Sequence, residues 1–396
     1  MKLTLEPKNL VDAIGWATKG YDQKNEKAFV LLSVNADGTA YLVHTSDEAY
    51  SLAPLAVDSV KFGADEGDEA LVALDGRYLQ RLAGVLNSGG DSITLSRKMS
   101  KKLGPLSVKD SSGAISFSVP VLRVTPADSP TLVKVGEVDE AEYFDALQRL
   151  ARICDSIASS SGAATTSVSI AFDVEDEKVK MMATNVYALG EIIVDFDPED
   201  EGVEAISEAL DEAIVLLPQT SALSIGAPKT PGAVVDLMYD PAARKFGYAF
   251  ADGRKALFSL DSSEPIIYEA LKDMGIKSAV ESVTLSSTAL QKAVTVVSSL
   301  AWDEVDVKLV LTKDKLVVAD EHHSNKVAVE VDKSDFDGEL EVTFNRANIK
   351  AGFSPVATED VRIGFSGAED SFRLEPIAPD GTAVDNVFVM VVPSVV

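Results

Sequence analysis

Apolar and polar residues alternate along this chain in a pattern that occurs three times. At Val179–Val194, VKMMATNVYALGEIIV, an apolar run through Ala183 breaks at Thr184–Asn185 and resumes through Leu189 to Val194. That arrangement predicts two strands joined at a tight polar corner. Ala40–Val57 and Lys315–Val331 repeat it, and the polar corners begin at Thr45, Thr184 and Asp320, 139 and 136 residues apart. Spacings of that size mean that whole domains are repeated.

The stretches around the corners repeat too. Leu10, Val11, Ile14 and Ala17 recur at helical spacing behind Pro7, which predicts a helix over Pro7–Gly20 closed by Gly20. Strands follow at Ala28–Val34 and Thr39–Val43 around an Asn35–Gly38 turn. After the Thr45 corner a returning strand reaches Val57. An acidic loop at Asp65–Glu69, a short strand, a helix over Gly76–Leu86 and a further strand complete the first unit. In the second unit Glu137–Ala158 matches the first helix, with Asp145–Leu147 aligned on Asp12–Ile14, and Ser159–Thr166 is a polar loop. Ser167–Val174 and Lys178–Met182 form the hairpin. Acidic sequence at Asp195–Glu212, part of it at helical spacing, is an insertion relative to the first unit. Ile214–Leu217 is a strand, and Pro218–Leu223 a helix shortened by Gly226, Pro228 and Pro231. In the third unit Gln291–Val294 lies on the first-helix register and Glu339–Gly367 repeats strand, helix and strand. Extended segments near Ser129–Gly136 and Met274–Ser282 divide the chain into domains at 1–133, 134–279 and 280–396. The last residues, Asn386–Val396, are strongly apolar.

Composition narrows the function classes. At 396 residues the chain suits about two to four domains of ~100–200 residues. With 46% apolar and 25% charged residues it can build folded cores. The opening MKLTLEPKNL has no apolar signal core, and no uninterrupted apolar run approaches the ~18 residues of a membrane span, so a cytosolic protein is expected. The single cysteine, Cys154, has no partner for an internal disulfide, and its place on the apolar side of a helical pattern predicts a core thiol. A net charge of −27 argues against nucleic acid unless basic residues gather on one face of an otherwise acidic body. No G-x-x-x-x-G-K-[ST], G-x-S-x-G or C-x-x-C motif occurs. His322–His323, adjacent on an extended segment, point to opposite sides and make a poor metal pair, so a solvated loop is expected there. The residues therefore predict no enzyme, cofactor or metal.

Three tandem units of this kind resemble the bacterial-type sliding clamp, the beta subunit of DNA polymerase III. The resemblance covers the whole chain: MKLTLE with its helix, the Ala183–Thr184 corner with Leu189, FSVPVLRVTPADSP at Phe117–Pro130, Phe344–Asn345 ahead of the last helix, and Pro393 near the end. It implies an α+β fold of three DNA-clamp domains, each with two helices packed on antiparallel sheets. Two chains would close head to tail into a ring around duplex DNA, and the ring would tether a polymerase without catalysing a reaction. It also implies that Lys8, Lys19, Lys24, Arg77, Arg81, Arg149, Arg152, Lys292, Arg346 and Lys350 face the DNA, with Arg97, Lys98, Lys101 and Lys102 on a loop at the rim. A second implied site is a pocket for short apolar peptides of the polymerase and clamp loader. Carried over by position, its walls are Thr184, Tyr187 and Leu189 at the corner, Pro265, Glu269 and Ala270 in the linker, and Met390, Val391, Val392, Pro393, Ser394, Val395 and Val396 in the tail. The tail can equally be an edge strand of the last sheet, with the pocket beyond Val391.

Three departures cluster at that pocket. Where the family reads Thr-Asp-Gly-His-Arg-Leu, this chain has Thr184-Asn185-Val186-Tyr187-Ala188-Leu189, losing a glycine and an arginine. Glu269 stands where the family has arginine, and the family's Met-Pro-Met-Arg-Leu ending is Val392-Pro393-Ser394-Val395-Val396. The departures imply an altered peptide preference, as in a divergent replisome such as a phage's, in the cytoplasm of a bacterium or of its phage-infected counterpart. The competing reading is a repeat-built structural or interaction protein, a virion component for example, kept soluble by its acidity.

Overall fold

The computed structural model describes residues 1–20, 29–63, 68–86, 91–98, 104–113, 115–124, 129–155, 165–210, 213–226, 232–266, 268, 271–273, 280–300, 306–320 and 324–394. The chain forms two compact units, Met1–Glu137 with Pro198–Ala209 and Gly232–Leu260, and Val138–Asp197 with Leu210–Pro231 and Asp261–Val396. The middle repeat thus contributes to both. No described helix is long and apolar enough to cross a membrane.

The first unit holds two antiparallel sheets. The five-stranded one runs Ser59–Lys61, Lys2–Leu5, Ile93–Ser96, Leu106–Asp110, Ser116–Val119. The other has nine strands, with the Ala40–Thr45 and Ala49–Pro54 hairpin at Thr45 near its centre. Strict alternation of buried and half-exposed residues in Val30–Asn35 and Ala40–Thr45 places every second side chain in the core. The helix over Pro7–Ala17 starts with Pro7 at its first turn and buries Leu10, Ala13, Ile14 and Ala17. It ends three residues before the predicted Gly20, because the chain turns off through Gly20 at φ +71°, where a Cβ would meet Ala49 Cβ at 2.6 Å. The Gly76–Leu86 helix packs beside it. Part of the acidic insertion forms the helix Asp200–Ala209.

The second unit is built on a twelve-stranded antiparallel sheet. Its main core joins Leu290, Val294 and Val297 of the Ser287–Leu300 helix to Phe344, Phe365 and Phe372 from the strands. Two further helix pairs match the pair in the first unit: Glu140–Ala151 with Gln219–Ser224, and Ser287–Leu300 with Arg346–Phe353. Ala13, Ala146 and Ala293, which the repeat aligns, are all buried.

Three expectations change. The predicted helix from Glu137 begins at Glu140, because Val133–Asp139 is a strand. Val138 is buried in it, and the Asp139 carboxylate caps the helix by accepting the Glu142 N–H at 2.9 Å. That helix stops at Ala151, short of Ala158, and residues 156–158 are outside those described. The tail strand, Val387–Val391, ends where expected but is not an edge. It lies between Ala188–Asp195 and Phe372–Ile377, so the apolar residues at its centre are buried by two neighbours.

Candidate functional site

In the second unit the corner Thr184–Ala188 is tied down from within. Thr184 Oγ1 donates to the Ala188 carbonyl at 2.8 Å and accepts the Val186 N–H at 3.1 Å. Asn185 Oδ1 accepts from the Tyr187 and Ala188 N–H groups, at 3.2 and 2.7 Å, and its amide nitrogen donates to Asn348 Oδ1. An Asn side chain bonding to backbone two and three residues on is what such a corner requires. These bonds hold Val186 at φ +76°, a left-handed conformation that a β-branched residue rarely adopts. Val186 and Tyr187 remain 61% and 50% exposed.

The corner leads into an apolar cluster. Thr184 pairs with Leu189, and Leu189 pairs with Met390 on the tail strand. Because successive side chains of a strand face opposite ways, Val389 and Val391 enter the main core, while Phe388 and Met390 turn to the other face. There they meet Met182, Leu189 and Tyr268, with Ile266, Leu271 and Val392 packed around them. Tyr268 shares a 3.1 Å hydrogen bond with Ser169, and burial pushes its phenol well above the usual range. Lys272 pairs with Glu191, and both Lys272 and Arg373 lie over the Phe388 ring, at 5.5 and 5.6 Å. Beyond the strand, Val392 N–H donates to the Tyr187 carbonyl at 2.7 Å and Ser394 N–H to the Thr343 carbonyl at 2.8 Å.

Of the residues assigned to the pocket, Leu189 and Met390 are in this cluster, and Thr184, Tyr187 and Val392 border it. Val391 belongs to the main core. Pro265 is half-buried and Pro393 buried; Glu269, Ala270, Val395 and Val396 lie outside the described residues. Sequence reasoning missed Met182, Tyr268 and Phe388. Alternation within NVFVMVV could have found Phe388, since it shares a face with Met390.

The assigned cations among the described residues fall on the paired helices or, for Lys19 and Arg152, just past their ends, in different states. Lys8 and Arg81 in the first unit, and Arg152, Lys292 and Lys350 in the second, are exposed and have no ion-pair partner among the described residues. Arg77 instead grips Asp75, with Nη2 to Oδ2 at 3.0 Å, and this contact holds the Asp75 carboxyl below the usual range. Arg149 pairs with Asp145, and Arg346 Nη1 donates to the Ser298 carbonyl at 3.0 Å. Lys19 lies 5.2 Å from the Trp16 ring, and burial, aided by Arg254, lowers its pKa. Lys24, Lys101, Lys102 and His322–His323 are outside the described residues. Among the described residues no three potential metal ligands gather. What these side chains offer is a buried apolar cluster beneath an exposed corner, and dispersed cations.

Compared by sequence, the chain matches no protein-family model and no curated protein. Compared by fold, it matches solved structures end to end. The DNA polymerase III subunit beta of Pseudomonas aeruginosa aligns at TM-score 0.76 and 15% identity, covering 100% of both chains. The DNA polymerase III beta subunit of Thermotoga maritima aligns at TM-score 0.73 and 18% identity, covering 100% of this chain and 99% of that one. The Helicobacter pylori beta clamp bound to a DNA ligase peptide aligns at TM-score 0.73 and 15% identity, with 100% of both chains covered. At such identities the likeness is one of fold: this chain has the fold of the beta clamps.

Proposed function

We propose that this chain is a DNA sliding clamp, a processivity factor without catalytic activity that encircles duplex DNA and tethers a replicative polymerase. The observation that carries the reading is the end-to-end likeness in fold to DNA polymerase III beta subunits at three organisms' worth of divergence. Three domains, 1–133, 134–279 and 280–396, would make six in a ring of two chains joined head to tail, a closed arrangement that leaves no free binding edge. Lys8, Arg81, Arg152, Lys292 and Lys350 supply cations for phosphates, while the net charge of −27 repels DNA elsewhere. Such contacts carry no sequence information, which suits a ring that slides. The surface over the Leu189–Met390 cluster, bordered by the exposed Val186 and Tyr187, takes short apolar peptides from polymerase and loader. The setting is the cytoplasm of a bacterium or of a phage-infected host.

Mass in solution and retention on DNA test this. A clamp has twice the 42.0 kDa of the chain, stays on closed circular DNA after loading, and leaves linear DNA by its ends. A monomer or an open polymer at micromolar concentration refutes the ring and favours a structural protein. The altered corner also predicts that a standard bacterial clamp-binding peptide binds about tenfold more weakly than to a clamp with arginine at position 188, about 1.4 kcal/mol; full-strength binding would remove the proposed change in preference.

A further inference from the structure

The five-stranded sheet of the first unit ends in a cleft of about 560 Å³ lined by Lys2, Lys61, Phe62, Arg97 and Lys98, among others. No carboxylate lines it among the described residues, in a chain where Asp and Glu outnumber Lys and Arg 63 to 36. Strand pairing makes the charge deliberate in geometry. Lys61 lies directly opposite Lys2, Lys2 opposite Ser96, and Ser96 opposite Ser107. Partners directly opposite on antiparallel strands share a face, so two ammonium groups and two hydroxyls form a row about 14 Å long across four strands. Like charges directly opposite one another destabilise a sheet. Lys2, Lys61 and Lys98 are exposed and have no ion-pair partner among the described residues to relieve that repulsion. Arg97, one residue beyond Ser96, lines the cleft from its buried side: its Nε donates to the Gly104 carbonyl at 3.0 Å and its backbone N–H to the Met1 carbonyl at 3.0 Å, which fixes that wall.

We propose that this cleft binds a single strand of nucleic acid, with its phosphates along the Lys61–Lys2–Ser96 row and a base on Phe62. A row of donors follows a phosphodiester backbone better than it holds one small anion. Phe62, half-buried beside Lys61, lines the same cleft, and stacking on an aromatic ring needs an unstacked base, which favours a single strand over a duplex. The inference stands on the first unit alone, so failure of the ring would leave it intact.

The test is fluorescence anisotropy of a labelled twelve-nucleotide oligo-dT on the full chain across a salt series. Lys2→Gln/Lys61→Gln should weaken binding about tenfold at low salt and reduce the slope of log K against log[salt] by about 1.4, at about 0.7 per lost contact to a single strand. Lys98→Gln, outside the strand pairing, should reduce it by about 0.7. Phe62→Ala should weaken binding several-fold with the slope unchanged, as expected for lost stacking. Because the lysine changes remove a repulsive pair, thermal melts of these variants should fall no lower than the parent's. Unchanged affinity and slope in both lysine variants, equal binding of poly-glutamate, or a duplex that competes as well as oligo-dT would each overturn the proposal.

Discussion

Val186 is the most strained position of the Thr184–Ala188 corner. It is a β-branched residue at φ +76°, held there by the Thr184 and Asn185 side chains, and it is 61% exposed. Placing a non-glycine residue in the left-handed region costs about 1–3 kcal/mol. Val186→Gly removes that strain. It also adds about 0.5–1 kcal/mol of unfolded-state entropy and forfeits about 0.5 kcal/mol from the part of the side chain that is buried. At the midpoints of these ranges the balance is a gain of about 0.5–1 kcal/mol. Val186→Asn tolerates the conformation without the glycine entropy and should gain at least as much. Val186→Ala keeps its Cβ and most of the strain, and should gain nothing. Urea unfolding followed by circular dichroism, with m-values compared so that only midpoint shifts are read, measures all three. A loss of more than about 0.5 kcal/mol in both the Gly and Asn variants, or an alanine variant that matches them, would refute the strain argument.

Three further outcomes are expected. Gly202 sits where a Cβ would lie 1.9 Å from the Lys134 carbonyl oxygen, so Gly202→Ala must displace backbone and should cost about 3 kcal/mol or more in a denaturant melt. The Asp75 carboxyl is depressed chiefly by its bond to Arg77, so its contribution to stability is intact above the ordinary Asp value near 3.9 and is lost as pH falls through the lower folded value. Asp75→Asn should therefore flatten the acid limb of a Tm-against-pH curve below about pH 4. Burial pushes the Cys154 thiol up to about 12, so a thiol reagent at pH 8 should fail to label the native protein and should label it fully in denaturant.

Hydrophobic patterning read the local structure well and the long-range assembly poorly. The Gly76–Leu86 helix was legible to the residue, because Leu79, Leu82 and Leu86 recur at helical spacing between a short strand and a polar turn. The hairpin at Thr184 was legible for the same reason, and Cys154 is buried as its apolar setting implied. Three strands at Val234–Asp240, Lys245–Phe250 and Lys255–Ser259 carried no repeat signal and went unread, although they join the sheet of Ala49–Pro54 through pairs such as Leu257 with Tyr50. In the apolar cluster, Leu189 and Met390 were anticipated, yet Tyr268 was not. Its role depends on a hydrogen bond to Ser169, 99 positions away, which no local pattern encodes. Nor did a list of lysines and arginines reveal that Arg77, Arg149 and Arg346 already have protein partners.

The interior position of the Val387–Val391 strand also governs when the second unit can form. Leu189 pairs with Met390, about 200 positions later, so the Ala188–Asp195 strand is made long before its neighbour exists. At ribosomal rates of about 5–20 residues per second that delay is roughly 10–40 s. Throughout it, one side of the strand presents unpaired N–H and C=O groups beside Leu189 and Ile192, the type of open edge on which chains aggregate. Closure then waits on a contact of very long sequence separation, a slow class of folding step. The apolar cluster around Leu189 and Met390 is consequently incomplete in the nascent chain until synthesis has passed Val391.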